Sequence, residues 1–148
     1  MQTGGGTVMA ETLRELEERR RQLFQELTEL GDFRPGMISV NYRKCGKANC
    51  ACARPGHAGH GPQYLWNTTQ NNQSRAQVIR LGPELQKVKA ELANYQRFGE
   101  LCSALVKVNE QICRLRPVPE VSDERELAQL KKTLQQQFSR KQRKRSSA

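Results

Sequence analysis

Cys45-Gly46-Lys47-Ala48-Asn49-Cys50-Ala51-Cys52 is followed by His57 and His60, so three thiols and two imidazoles fall within sixteen residues at the spacing C-x4-C-x-C-x4-H-x2-H. Thiolate and imidazole are the donors that zinc prefers, and four of them close a tetrahedral structural site. Gly46, Gly56, Gly59 and Gly61, with Pro55 and Pro62, supply the tight turns needed to wrap a short chain round one ion. Cys45, Cys50 and Cys52 are the expected ligands, and His57 and His60 compete for the fourth place. The common C-x2-C hook is absent, so C-x-C must chelate across a turn. From Phe33 to Pro83 there is no Asp or Glu. A catalytic zinc would want an open coordination position and a nearby carboxylate to carry protons. The site therefore reads as structural and the protein as no enzyme. A cysteine nucleophile is equally unsupported, because nothing in the pattern orients a histidine base.

The flanks of this loop read as strands. Met37–Tyr42 alternates Ile38, Val40 and Tyr42 on one face. Gln63–Thr69 is a second strand, Gln70–Gln73 a polar turn and Ser74–Leu81 a third strand. So small a sheet is not stable alone and needs the metal or the helices. Tyr42, Tyr64 and Trp66 are expected to fill a small core under the loop; exposed, they would be platforms for unpaired bases. Asn67, Asn71, Asn72 and Gln73 suit adenine edges and hairpin turns alike.

Helices enclose the strands. Leu13, Leu16, Leu23, Leu27 and Leu30 predict a first helix over residues 10–30, with Arg20 in one seam position and Gly31 placed to stop it. Gly82-Pro83 opens a long helix to about residue 116. Its first seam is Leu85, Val88, Leu92 and Tyr95. Its second, offset by a three-residue step, is Phe98, Leu101, Leu105, Val108, Ile112 and Leu115. Cys102 and Cys113 lie eleven apart on one face of this helix and read as small core residues. After Pro117-Val118-Pro119, a last helix carries Leu127, Leu130, Leu134 and Phe138, and is expected to fold back over the second seam.

The expected architecture is mainly α with a small β insertion: a coiled-coil-like helical hairpin holding a short, zinc-pinned antiparallel β-ribbon. The expected segments are a flexible start over 1–9 and a single domain over 10–116. Within that domain the Cys/His ribbon takes 33–82 and the long helix 83–116. A C-terminal helix over 117–138 and a basic disordered tail over 139–148 complete the chain.

The net charge of +10 is unevenly placed: −3 over 1–32, +7 over 33–83, +1 over 84–138 and +5 over 139–148. A metal-pinned ribbon with uncompensated positive charge points to DNA or RNA as partner. Arg43, Lys44, Lys47, Arg54, Arg75 and Arg80 are the expected phosphate contacts. The chain shows no secretory leader and no apolar run long enough to span a membrane, so a cytoplasmic protein with reduced thiols is expected.

The run Phe33-Arg34-Pro35-Gly36, then Tyr42-Arg43-Lys44-Cys45-Gly46-Lys47, Asn49-Cys50, Cys52-Ala53-Arg54 and Gly59-His60-Gly61-Pro62 with Tyr64-Leu65, resembles an uncharacterised family of short bacterial proteins. That family's pattern is similar to Y-R-x-C-G-K-x-x-C-x-C followed by G-H-G-P, and its members are often encoded near transposases on mobile elements. The resemblance implies His60 rather than His57 as the fourth ligand. It also implies a mobile-element context with a transposase or recombinase as a further partner; joined to the basic ribbon, the expected function is a non-enzymatic nucleic-acid-binding accessory protein, the alternative being a protein–protein adaptor that docks a larger recombinase or other enzyme through its long helix. It carries no mechanism.

Overall fold

The protein is described by a computed structural model covering residues 10–146, with side chains to residue 140. The flexible start expected over 1–9 lies outside the described residues. The element order is α1 (Leu13–Glu29), β1 (Met37–Arg43), β2 (His60–Gln70), β3 (Gln73–Ile79), α2 (Pro83–Leu115) and α3 (Glu124–Ser146), with a 3-10 turn at Ala51–Ala53.

The expectation of a mainly α fold is corrected. The three strands hold seven, eleven and seven residues, and they form one antiparallel sheet in the order β1-β2-β3. The fold is mixed α and β, with three helices and a sheet of comparable importance. The sequence understates the sheet because His60-Gly61-Pro62 reads as loop, yet it is the start of the central strand. Proline lacks a ladder donor and is tolerated in a sheet only at an edge or a bulge. Both conditions are met here. The β1–β2 register shifts between Asn41 and Arg43, opposite this stretch, and β3 pairs with β2 only from Tyr64 onward.

α1 starts three residues later than expected, at a capping box: Thr12 accepts from the Glu15 backbone N–H, and Glu15 accepts from that of Thr12. Its leucine stripe packs against α2 to make a core of Leu16, Leu23, Leu101, Val108 and Ile112, bordered by Leu13, Leu27, Leu30, Ala104 and Leu105. The two helices are antiparallel. Arg20 donates to Asn109, Arg97 pairs with Glu26, and Asn94 donates to the Asp32 carbonyl. Arg20, the odd polar residue of the stripe, is thus matched by a polar partner.

The second seam of α2 packs against α1 from Leu101 to Ile112. The first seam has a different neighbour. Val88 is buried on it and Glu91 beside it, and Glu91 accepts from Arg34 Nε at 2.8 Å. The Arg34 guanidinium in turn lies over the Trp66 ring at 4.5 Å. The three-residue step between the seams lies between the Glu91–Arg34 junction and the core shared with α1. Phe33, Tyr95 and Phe98 cluster at that step, with Phe33 and Phe98 stacked at 4.8 Å.

Residues up to Cys113 form one compact unit, and residues from Arg114 form a second that contains α3. α3 continues to Ser146, past residue 138 where the sequence suggests a disordered tail, because Arg, Lys and Gln are all good helix formers. Cys102 is half-buried, but Cys113 is exposed and is no core residue.

Candidate metal centre

β1 delivers Cys45 just past its end, and β2 begins at His60 directly opposite Arg43. Between them the chain makes successive turns. The Cys50 N–H donates to the Lys47 carbonyl, the Ala53 N–H to that of Cys50, and the Arg54 N–H to that of Ala51. This 3-10 turn bends C-x-C so that Cys50 and Cys52 face one point. Gly59 and Gly61 allow the return: both have positive φ, and a Cβ on either would lie 2.8 Å from the backbone of Arg43 or Asn41. No side chain fits there, so His60 is flanked by glycines.

One donor atom from each of Cys45, Cys50, Cys52 and His60 lies within 4.8 Å of the other three. Cys45 Sγ and Cys52 Sγ are 3.5 Å apart, and Cys50 Sγ and His60 Nε2 are 3.3 Å apart. Zinc–sulfur bonds of about 2.3 Å at tetrahedral angles put two sulfurs about 3.8 Å apart, and a sulfur and a nitrogen slightly closer. The donor set and its spacing fit such an ion. The Cys45 N–H also points at Cys52 Sγ at 3.5 Å, a contact that favours the thiolate. His57 is not in the cluster. Its Nδ1 accepts the Gly59 N–H at 2.9 Å, so it shapes the turn, and the competition between the two histidines resolves to His60.

The electrostatics suit a cation. The Lys47 backbone N–H, with hydrogen bonds from His60 and Cys52, holds the Cys45 thiol down to about 6. Cys52 is pushed the other way. The Cys45 backbone N–H works to lower it, but burial and the adjacent Cys45 and Cys50 sulfurs prevail. A second thiolate beside the first is costly until a cation sits between them.

The predicted basic contacts divide into two groups. Arg43, Lys44, Lys47 and Arg54 surround the metal loop, are exposed, and pair with no carboxylate among the described residues. Arg75 is likewise exposed and unpaired, but it lies on β3 near the other end of the sheet. Arg80 is paired with Glu84 at 3.3 Å. Arg34, the seventh cation of the segment, is spent on Glu91, which also takes Lys87 Nζ at 2.6 Å. Sequence reasoning misses this junction, because Glu91 is 57 residues from Arg34 and carries no local signal.

The three aromatics expected in a core under the loop are split: Tyr64 is half-buried, but Tyr42 is 53% exposed. Trp66 stands toward the opposite end of the sheet, where its Nε1 donates to the Pro35 carbonyl at 2.8 Å. Asn67 is not free either, since its Nδ2 donates to Ser39 Oγ at 2.7 Å.

A sheet carrying a Cys3His cluster on its terminal loop, braced by a helical hairpin, is the class that fold and site define. The family described as a domain of unknown function (DUF6788) matches residues 13–90, more than half of the chain, and the chain belongs to that family. The matched segment takes in α1, the whole sheet, the metal loop and the start of α2. Comparison with curated proteins and with solved structures gives no match. No helix among the described residues is long and apolar enough to cross a membrane.

Proposed function

We propose that this protein is a non-enzymatic, zinc-stabilised nucleic-acid-binding protein. The carrying observation is the cluster of Arg43, Lys44, Lys47 and Arg54 round a Cys3His site with no carboxylate among the described residues to neutralise them. Three thiolates and a dication sum to −1, so the loaded loop remains strongly positive. Four protein donors complete a tetrahedral shell and leave the ion structural, as in small domains whose metal replaces a hydrophobic core. The ion holds the loop against the end of the sheet, and the loop presents its cations to phosphates. The resemblance to proteins encoded near transposases supports an accessory role on bacterial mobile elements.

The test combines metal analysis with a binding titration. About one zinc per chain is expected, released together with affinity when Cys50 or Cys52 is replaced by Ser. Binding to duplex DNA should weaken steeply with salt. A metal-free protein of unchanged fold, or the lack of any nucleic-acid binding at low salt, would sink the reading.

A second reading is a protein–protein adaptor for a transposase, recombinase or other larger enzyme. It is favoured by α3, which buries none of its described residues and exposes Leu130, Leu134 and Phe138 along one stripe. Complex formation that survives high salt and depends on those three residues would put this reading first.

A further inference from the structure

β1 ends its pairing at Met37 opposite Asn67, but β2 and β3 continue past that point to Gln70 opposite Gln73. Residues 68–75 are therefore a two-stranded ribbon that projects beyond the sheet. Asn71 and Asn72 close it with φ of 50° and 60°. This is a two-residue turn of the kind that matches the strand twist and that asparagine tolerates. The ribbon contains no acidic and no large apolar side chain, and every residue from Thr69 to Val78 is exposed. An ordered ribbon without an apolar face is not built to pack on protein.

Its two faces differ. The register places Thr68 opposite Arg75, Gln70 opposite Gln73, and Trp66 opposite Gln77 on one face. Gln70, Arg75 and Gln77 line one groove there with Trp66, Thr68 and the edge of Ala76, and no helix residue lines it. The other face carries the small Thr69, Ser74 and Ala76. Glutamine pairs bidentately with adenine N6 and N7, and arginine with guanine O6 and N7. The reading side chains are thus gathered on one side of a ribbon whose other side is slim. Strands about 4.8 Å apart give a ribbon that fits a B-DNA major groove about 12 Å wide. The major groove of A-form RNA is too narrow to admit it.

Resting on the nucleic-acid reading above, we infer that the β2–β3 hairpin enters the major groove of duplex DNA and reads base edges through Gln70, Gln73 and Arg75. The metal loop lies at the opposite end of β2. Ten residue rises of about 3.3 Å separate His60 from Gln70, about 33 Å, close to one turn of B-DNA. One chain would thus read bases with its tip and grip phosphates about a turn away with Arg43, Lys44, Lys47 and Arg54. Arg75 then serves as a base reader, not as one more phosphate contact.

The experiment is selection of the zinc-loaded full chain on random duplex DNA, followed by titrations on the selected duplex, a scrambled duplex and duplex RNA. A short preferred site is expected, with the scrambled duplex bound about 10- to 100-fold more weakly. Replacing purines of the site by 7-deazapurines removes the N7 acceptor and should lower the affinity of the unaltered protein, whatever any variant does to folding. Arg75→Lys keeps the charge but not the fork, and the double change Gln70→Ala with Gln73→Ala removes both amides. Each should reduce the ratio of selected to scrambled binding by about tenfold or more. Electrostatic binding with no site preference, indifference to 7-deazapurines, or equal binding of duplex RNA would overturn the hairpin inference and leave the electrostatic reading standing. Failure to bind any nucleic acid at low salt would overturn both.

Discussion

Gly36 has φ +107°, and a Cβ there would collide with the Asn67 carbonyl oxygen. Both the conformation and the close approach require glycine, since φ in this range strains any L side chain. Gly36→Ala should cost more than about 1 kcal/mol of stability, measured by denaturant unfolding; an unaltered midpoint would contradict the geometry. Two residues earlier, Arg34 joins Trp66 to Glu91. Hydrogen bonds from Lys87 and then Arg34 hold the Glu91 carboxyl below its ordinary value of 4.5. A depressed carboxylate contributes stability that is fully present above its unfolded value and is lost as pH falls through the folded one. Melting temperature should therefore drop more steeply below pH 4.5 in the native protein than in Glu91→Gln, measured as a pH series. Parallel curves would show that the junction adds nothing.

The two seams of α2 have separate partners, so their loss should have separate consequences. Leu101 is 2% exposed in the core shared with α1, and Leu101→Ala should cost about 2–5 kcal/mol, read as an early loss of the helical signal in thermal unfolding. Metal removal should act elsewhere. β2 is anchored near Trp66 through Arg34 and its Glu91 partner on α2, but at its His60 end, among the described residues, the bulged pairing with β1 and the metal loop hold it without help from β3. Chelation should therefore speed amide exchange over residues 43–62 while Tyr64–Asn67 and both helices of the hairpin stay protected. Uniform loss of protection across the sheet would mean that the metal supports all of it.

The charge of the loop sets the behaviour of the complete protein. Five cations, Arg43, Lys44, Lys47, Arg54 and Arg75, stand without acidic partners among the described residues. If the four round the metal loop neutralise phosphates of duplex DNA while Arg75 reads bases, the slope of log K against log salt should be about −3.6, and Arg43→Ala with Lys44→Ala should lower its magnitude by about 2. A slope unaffected by the pair would move the contact away from the metal loop. The unit ending at Cys113 contains the whole α1–α2 core. A chain cut after Arg116 should accordingly keep its zinc and its cooperative unfolding, while losing the +5 carried by residues 139–148.

Local chemistry is legible in the amino-acid sequence alone. The spacing of Cys45, Cys50 and Cys52, the glycines around His60, the leucine stripe of α1 and the two seams of α2 depend on neighbours within a few residues, and each is written in order along the chain. Whatever depends on distant partners is not. His57 and His60 are chemically alike, and only the turn that lends His57 Nδ1 to the Gly59 N–H separates them. Pro62 reads as loop until a bulge in another strand makes room for it. Seven cations look equivalent until Glu91 and Glu84 claim Arg34 and Arg80. The sheet looks like a minor insertion because its central strand begins inside the metal loop. Sequence periodicity records which face of an element is apolar, but which partner covers that face is a matter of three-dimensional packing. The physical reason is that pairing and burial energies act between atoms brought together from far apart in the chain, and no local pattern encodes them.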